Sequence, residues 1–417
     1  MVKIAEFAVE RWMDDYENDA KYNLAETCCA SISLNDLLAF SPDKPTNLID
    51  FSRKQVYGAI RGSDALRSNI AAIYSIESTP LPADKVLVTN GAIQANFLSL
   101  YTNVGPSDHV ICQYPTYQQL YAIPESLGAD VSLWRSEEDE SWRLDLDELR
   151  AMIRPNTKLI IIKYVQMEVL NSISRTNPDS NPQNPTGAVL SHKTLQEIVN
   201  IAREHSITIH SDEVYRPLFH SLGPDEGPIP SILSFGYENS IVTGSMSKAF
   251  SMAGIRLGWI ASHSSKIINA CASTRDYTTI SVSQVDDEIA TFALSNQVVN
   301  GILKRNIELA RKNISLLDKF IHDFQWAAKW IRPKAGTTAF IKFLGRNGRP
   351  VDAVELCKRL QESTGAMLVP GSQCFGDGVD FKGFVRFGYV PEHQVMVDGL
   401  EALRKFMMDE YDNVPTV

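Results

Sequence analysis

The sequence predicts an α/β fold, in which a large domain with a mainly parallel mixed sheet between helices precedes a smaller α/β domain. Three observations lead to this prediction. The length of 417 residues is enough for roughly two to three domains. Short β-branched runs alternate with amphipathic segments through the middle of the chain, a pattern typical of parallel sheets covered on both faces. After about residue 296 this alternation gives way to a long amphipathic helix, which indicates a second unit.

The predicted elements follow one another in a regular order. Strands of the large domain are expected over residues 85–89, 109–113, 130–134, 158–162, 208–211, 240–243 and 257–261. Helices are expected between them over 92–101, 117–127, 146–153 and 192–205. The second unit is predicted as helices over 298–324, 351–362 and 391–411 and strands over 338–343 and 385–389. We therefore expect an N-terminal arm that forms part of the small domain (1–45), a large domain (46–296) and a small C-terminal domain (297–417).

Composition and charge narrow the class of protein. The chain has 40 Lys and Arg against 50 Asp and Glu, a net charge of -10, which disfavours nucleic acid or an anionic membrane as a partner. The six cysteines show neither metal-ligand spacing nor a disulfide-rich pattern, so no metal is expected. The first 20 residues are interrupted by charge and have no apolar signal core. These features predict an intracellular, cytoplasmic protein.

One connecting segment is unusually long for a loop that follows a strand. Residues 163–180, KYVQMEVLNSISRTNPDS, separate a predicted strand from the turn NPQNPTG, although such loops are usually about 2–6 residues long. The codons for Lys-Tyr-Val at the start of this segment can contain a splice-donor sequence. The codons for Thr-Asn can contain a branch sequence, and a codon for Ser180 can supply the acceptor AG. We therefore predict that 163–180 is a retained short intron of a eukaryotic, specifically fungal, gene, and that splicing would leave LIIINNPQNPTG. The alternative is a genuine family-specific loop over the site, and sequencing of the transcript distinguishes the two.

The first chemical cluster is SMSKAFSMAGIRLGW, which spans residues 245–259. A lysine such as Lys248 can form a Schiff base with an aldehyde once it has lost its proton. The neighbouring hydroxyls of Ser245 and Ser247 and the guanidinium of Arg256 can meanwhile hold a phosphate dianion. Taken alone, Lys248 would equally fit an ordinary surface lysine.

The second cluster is TIHSDEVY, residues 208–215. Asp212 ends a strand that reads as buried, so its ionised carboxylate requires a cationic partner. A protonated pyridine nitrogen is such a partner and keeps the ring effective as an electron sink. The alternative for Asp212 is a helix N-cap. His210 is expected to pack or to support a neighbour rather than to act as a base.

Three further motifs carry polar or aromatic groups that could face a ligand. Asn184 lies in NPQNPTG, where Pro and Gly form a turn that directs the amide towards the strand ends. In VTNGAIQANF, Gly91 permits close backbone approach, and the N–H groups of Ala92 and Ile93 open a helix that could bind phosphate. Tyr117 in YPTYQQL could stack on a planar ring, although a lone tyrosine more often packs in a core.

The order of these motifs resembles the pyridoxal-phosphate-dependent aminotransferases of fold type I, class I/II, over roughly residues 50–389. The combination of NPxNPTG, SDExY and SxSKxFxMxGxRxGW carries the resemblance. It implies an aspartate-aminotransferase-like fold and pyridoxal 5′-phosphate (PLP) as the cofactor. By that resemblance Lys248 bonds to the cofactor and carries the proton, Asp212 pairs with the pyridine nitrogen, and Tyr117 stacks on the ring. Asn184 and Tyr215 would bind the phenolic oxygen, and the phosphate would be held by Gly91, Ala92, Ile93, Ser245, Ser247 and Arg256.

The resemblance also assigns residues to the substrate and to a second subunit. Arg386 in FVRFGY matches the arginine that binds the substrate α-carboxylate, together with Asn184. Tyr57 in VYGAIRG matches the tyrosine that reaches the cofactor phosphate of the partner subunit. This match implies a homodimer with shared active sites.

The amino end departs from the common pattern of the family. Where common aminotransferases carry a Gly-x-Pro-x-Phe-like pocket segment, this chain has NLAETCCASISLNDLL (23–38), which resembles capreomycidine synthase-type and fungal carbon–sulfur lyase-type members. We expect Schiff-base and quinonoid chemistry on an α-amino acid, first of all transamination to an oxo acid. The alternatives are carbon–sulfur lysis, another β-elimination or replacement, or cyclisation in secondary metabolism. A nicotinamide dehydrogenase is disfavoured because VTNGAIQANF lacks a G-x-G-x-x-G turn.

Overall fold

A computed structural model describes residues 3–43, 46–163, 166–167, 184–186, 190–221 and 230–417. The N-terminal elements are α1 (Ala8–Tyr16), β1 (Tyr22–Asn23), α2 (Leu34–Ala39) and α3 (Asp64–Tyr74). The central elements are β2 (Val86–Thr89), α4 (Gly91–Asn103), β3 (His109–Tyr114), α5 (Gln119–Ser126), β4 (Asp130–Arg135), α6 (Leu146–Met152), β5 (Thr157–Ile162), β6 (Gln166–Met167), β7 (Leu190–Ser191), α7 (His192–Glu204), β8 (Thr208–Asp212), β9 (Ser240–Ser245), β10 (Gly258–Ala261), α8 (Ser265–Arg275) and α9 (Gln284–Ala293). The C-terminal elements are α10 (Val299–Asp323), β11 (Ala328–Trp330), β12 (Thr338–Phe343), α11 (Ala353–Thr364), β13 (Ala366–Met367), β14 (Val369–Pro370), α12 (Gly371–Phe375), β15 (Phe384–Gly388) and α13 (His393–Asp409).

The large sheet has seven strands in the order β2-β10-β9-β8-β5-β3-β4. β10 runs antiparallel to both of its neighbours, and the other adjacent pairs are parallel. β3 and β9 are buried along their whole length, as expected for strands covered on both faces. The predicted α/β class and its mainly parallel mixed sheet are confirmed.

Helices cover this sheet because each presents one apolar face to it. In α7, Leu195, Ile198, Val199 and Ala202 recur at helical spacing and are all buried. Ser191 caps the start of that helix by accepting a hydrogen bond from the Thr194 N–H at 3.0 Å. α4 packs on β9 and β10, with α5 and α8 beside it.

The smaller C-terminal sheet is antiparallel and has the order β11-β12-β15-β14. The N-terminal arm joins this unit, since β1 pairs in parallel with β13. The Trp12 indole N–H, on α1, donates to the Leu368 carbonyl at 2.9 Å in a buried position. These contacts agree with the expected placement of the arm, while the three domain limits stay a prediction.

The fold places the ends of several strands at one edge of the large sheet. Asp212 is the last residue of β8, Ser245 is the last residue of β9, and Gly91 begins the helix after β2. Ligands of open α/β sheets bind at the carboxyl ends of parallel strands, so this edge is the expected position of a site.

Candidate active site

A cavity of about 750 Å³ opens at this edge, between the large sheet, the N-terminal arm and β15. Most of the side chains singled out in the sequence line it. They are Ala92, Ile93, Tyr117, Asn184, Asp212, Tyr215, Ser245, Ser247, Lys248, Arg256 and Arg386. The motifs are far apart in the sequence, so their convergence on one cavity is a result of the fold.

One end of the cavity is built to hold an anion. Gly91 has φ +72°, and a Cβ atom there would lie 2.9 Å from an Arg256 guanidinium nitrogen. The Arg256 guanidinium donates to the Ala253 carbonyl at 2.8 Å and lies 3.5 Å from the Ser247 hydroxyl. With the Ser245 hydroxyl and the first N–H groups of α4, these donors form a cradle suited to phosphate.

Asp212 provides a buried carboxylate at the end of β8. Its side chain is 2% exposed, and its Oδ1 accepts the Val214 N–H at 3.2 Å. Its Oδ2 lies 3.3 Å from the Asn96 amide nitrogen and 3.0 Å from the Lys163 ammonium. In the structure this buried carboxylate is thus already paired with a cation, the Lys163 ammonium.

His210 supports this carboxylate through Asn96 rather than acting on a ligand. Its ring nitrogens lie 3.0 Å from the Ser99 hydroxyl and 3.2 Å from the Asn96 amide oxygen. Burial lowers the His210 pKa to about 4, so the ring is neutral at physiological pH. This placement agrees with the expectation that His210 is not a base.

The Lys248 amine faces the N-terminal arm. It donates to the Thr27 hydroxyl, lies 3.4 Å from the Cys28 sulfur and lies 3.9 Å from the Glu26 carboxylate. Burial lowers the Lys248 pKa, but the negative charges that Cys28, Tyr215 and Glu26 can carry outweigh it and raise the pKa above its ordinary value. Burial also raises the pKa of the Cys28 thiol to about 11, so at neutral pH the thiol is uncharged and the Glu26 carboxylate supplies the negative charge beside the amine.

Glu26 is the carboxylate that balances this amine. Burial alone would raise the Glu26 pKa, but Lys248 and the N–H groups of Thr27 and Cys28 hold it below its usual value. Those N–H groups donate to its Oε1 at 2.6 and 2.8 Å. The arm therefore presents an anion, a hydroxyl and a thiol to the amine.

Tyr117 forms one wall of the cavity. Its hydroxyl donates to the Glu10 carboxylate on α1 at 2.7 Å, and its ring centroid lies 4.7 Å from that of Phe7. Burial, with the adjacent Glu10 charge, raises the Tyr117 pKa well above its ordinary range. The phenol therefore stays neutral, and its ring face is held in place by the arm.

Arg386 has unused capacity to bind a carboxylate. One terminal nitrogen donates to the Ala25 carbonyl at 3.0 Å, and the other lies 3.4 Å from the Asn184 amide oxygen. Its Nε is buried and has no hydrogen-bond partner among the described residues. A buried donor of this kind is costly unless a ligand satisfies it, so the geometry fits a carboxylate held in bidentate fashion.

Tyr57 lies apart from the other candidate residues. This residue is 76% exposed and does not line the cavity. The role implied by the resemblance requires a second subunit, so it stays a prediction.

Several residues at the site were missed by sequence reasoning. These are Glu10, Glu26, Thr27, Cys28, Asn96 and Lys163. The unusual segment 23–38 was a signal for three of them, because the corresponding segment lines the pocket in common aminotransferases. Lys163 was seen only as the first residue of the predicted intron. Of that segment, the structure describes only Lys163 and residues 166–167, so the intron prediction lies mostly outside the described residues.

The residues singled out from the sequence fit PLP. The anion cradle suits its phosphate, the buried Asp212 suits its protonated ring nitrogen, and Lys248 supplies a primary amine within the same cavity. No cluster of metal-binding side chains occurs in the described ranges. No helix within those ranges is both long and apolar enough to cross a membrane.

Comparison with known proteins identifies the family of the chain. The sequence profile of the aminotransferase class I and II family matches residues 34–167 and 179–402, so the chain belongs to that family. A solved PLP-dependent aminotransferase from Streptococcus suis is 37% identical, with a TM-score of 0.84 and 98% of each chain covered.

Two curated relatives are more distant in sequence. Capreomycidine synthase from Streptomyces vinaceus is 24% identical, over 87% of this chain and 85% of its own length. An aspartate aminotransferase from Thermotoga maritima is 28% identical, over 89% of this chain and 91% of its own length. The predicted family and the aspartate-aminotransferase-like fold are thus confirmed, including the expected similarity to capreomycidine synthase.

Proposed function

We propose that the protein is a PLP-dependent aminotransferase that moves the amino group of an α-amino acid to an oxo-acid acceptor. The observation that carries the proposal is one cavity that combines the Lys248 amine, the buried Asp212 carboxylate, an anion cradle and the partly unsatisfied Arg386 guanidinium. Membership of the aminotransferase class I and II family supports it.

When bound, PLP supplies an electron sink for a substrate carbon that loses a proton. The chain's own residues bind and orient the reactants. Arg256, Ser245 and Ser247, with the N–H groups of Ala92 and Ile93, would hold the phosphate, and Asp212 would keep a proton on the ring nitrogen.

The remaining residues act on the substrate. Arg386 and Asn184 would fix the α-carboxylate, which aligns the Cα–H bond with the Lys248 amine. Lys248 Nζ would take the Cα proton and return it, while Tyr215 and Asn184 bind the phenolic oxygen. The raised Lys248 pKa means that this amine must lose its own proton before it can accept one from the substrate.

A direct experiment tests this function. The purified chain, with PLP in excess, is incubated with single amino acids and 2-oxoglutarate, and glutamate is measured. We expect turnover that Lys248→Ala abolishes and that Lys158→Ala, an exposed change on β5, leaves intact. Borohydride reduction should fix the cofactor on Lys248, and a label on another residue would overturn the assignment.

Elimination is the second candidate, favoured by a specific observation. The Glu26-Thr27-Cys28 segment places a carboxylate, a hydroxyl and a thiol at the Lys248 amine. Capreomycidine synthase, a relative over most of the chain, supports a reaction other than simple transamination in secondary metabolism. Release of pyruvate and ammonia, or of a thiol, without an oxo-acid acceptor would favour the lyase reaction.

The proposal extends to the setting of the enzyme. All six cysteines are free thiols, which is typical of a reducing compartment and supports a cytoplasmic location. The exposed Tyr57 supports a homodimer with shared sites. Fractionation of cells that express the tagged chain tests the location, and recovery of the enzyme with membranes or outside the cell would contradict it.

A further inference from the structure

The cavity contains a second lysine that the expected chemistry does not use. Lys163 follows the last residue of β5, and its side chain is 4% exposed. Its ammonium lies 3.0 Å from Asp212 Oδ2, and 5.1 and 5.5 Å from the ring centroids of Tyr117 and Tyr215. The charged atom therefore lies among the three side chains expected to surround the cofactor ring.

The backbone holds Lys163 in this place. Its N–H donates to the Gln113 side-chain oxygen at 2.9 Å, which fixes the start of the side chain at the strand end. The Asp212 carboxylate compensates the positive charge of the buried ammonium, and the rings of Tyr117 and Tyr215 add cation–π attraction. The side chain is thus well supported in the position that it occupies.

We propose that the Lys163 ammonium competes with the cofactor ring nitrogen for Asp212, so that a chain with Lys163 binds PLP weakly and a neutral side chain there restores binding. The inference rests on the proposed function, because it assumes that the cavity takes PLP. Two positive charges cannot share one buried carboxylate without strong repulsion, since screening by water is weak there.

The other contacts of Asp212 leave little room for both cations. Its Oδ1 already accepts the Val214 N–H, and its Oδ2 also faces the Asn96 amide. The Glu10 carboxylate, elsewhere in the cavity, already accepts the Tyr117 hydroxyl. Binding of a protonated ring therefore requires Lys163 to leave its buried ion partner.

Lys163, which carries the competing charge, is also the first residue of the predicted intron. Removal of that segment would leave Asn at position 163, and asparagine carries no charge to compete for Asp212. The profile of the family also omits residues 168–178 from its match, which lie inside the segment. The unspliced chain would then be a form with impaired cofactor binding, and the spliced chain the competent form.

Titration of the purified full chain with PLP tests the proposal. We expect Lys163→Asn to lower the Kd for PLP at least tenfold, about 1.4 kcal/mol, relative to the unchanged chain. Lys163→Arg retains the charge and should bind as weakly as the unchanged chain. Lys158→Asn, an exposed change on the same strand, is the matched control and should leave the Kd unchanged.

Thermal unfolding provides a second measurement if one variant folds poorly. Lys163→Met retains much of the side-chain volume but leaves Asp212 without its cation, so the protein without PLP should unfold at a lower temperature. Addition of PLP should then raise its unfolding temperature more than that of the unchanged chain. A chain with 163–180 replaced by a single Asn should also bind PLP at least as tightly as Lys163→Asn.

The outcomes separate this inference from the proposed function. Equal PLP affinity in the unchanged chain, Lys163→Asn and Lys163→Met, with borohydride labelling on Lys248, would overturn the competition and leave the aminotransferase proposal standing. Failure of every folded form to bind PLP would overturn both. Labelling of Lys163 instead of Lys248 would show that this amine bonds to the cofactor, which also contradicts the competition.

Discussion

Among single residues, Arg386 offers the most direct test of substrate binding. Its guanidinium can present two parallel N–H donors to a carboxylate, whereas a lysine ammonium presents a point charge. We expect Arg386→Lys to raise the KM for the amino donor roughly 10- to 100-fold, about 1.4–2.7 kcal/mol, with a smaller change in kcat.

Steady-state kinetics with PLP in excess measure this split between KM and kcat. The matched control is Arg346→Lys, since the Arg346 side chain is 63% exposed and lies outside the cavity. An unchanged KM in Arg386→Lys would show that another group binds the substrate carboxylate.

The residues at the site differ in how far the sequence could predict them. Lys248, Asp212 and Asn184 lie in compact motifs whose residue types match their chemistry, and the fold brings all three to one cavity. Glu10 and Lys163 carry no local motif. The position of Glu10 depends on where α1 packs, and that of Lys163 on where β5 ends. Such contacts between distant segments cannot be predicted from a short stretch of sequence.

At the scale of elements, β8 carries both Asp212 of the site and His210, whose protonation affects the stability of the fold. His210 lies on this strand, and burial lowers its pKa to about 4 from an ordinary value of 6.5. Between these values the unfolded chain binds a proton that the folded chain does not, so stability falls as the pH falls from about 6.5 to 4. The linkage amounts to about 2 kcal/mol at pH 5 for this residue.

Urea unfolding at pH 7 and pH 5 tests this linkage. We expect His210→Gln to lose less stability between the two pH values than the unchanged chain, because glutamine takes up no proton. His322→Gln, an exposed change on α10, is the control and should keep the full loss. A loss in His210→Gln equal to that of the unchanged chain would contradict the assignment.

The positions of the elements were largely predictable, whereas their arrangement was not. The strand expected over 338–343 is β12 with the same limits, and that expected over 130–134 is β4, which ends one residue later. Each strand is marked locally by apolar, β-branched runs between turns. The antiparallel direction of β10 within the large sheet and the pairing of β1 with β13 depend on long-range packing, for which the sequence has no local signal.

For the whole molecule, the exposed apolar side chains around Tyr57 lead us to predict a second subunit. Phe51, Val56, Tyr57 and Ile60 are respectively 84%, 69%, 76% and 48% exposed, so four large apolar side chains face outward within ten residues. Exposed apolar patches of this kind are typical of protein–protein interfaces. We therefore expect a homodimer in solution, and sedimentation equilibrium measures it.

Mixing of two inactive variants tests whether Tyr57 completes the partner's site. Tyr57→Ala would lose the contact to the phosphate across the interface, and Lys248→Ala would lose the amine within its own site. Because Tyr57 is exposed in the single chain, its replacement should leave each protomer folded. In a mixed dimer, the intact Tyr57 of the Lys248→Ala protomer would serve the intact Lys248 of the other protomer, so mixing should restore PLP binding and activity at one of the two sites. A monomer in solution, or a mixture no more active than its separate components, would contradict a shared active site.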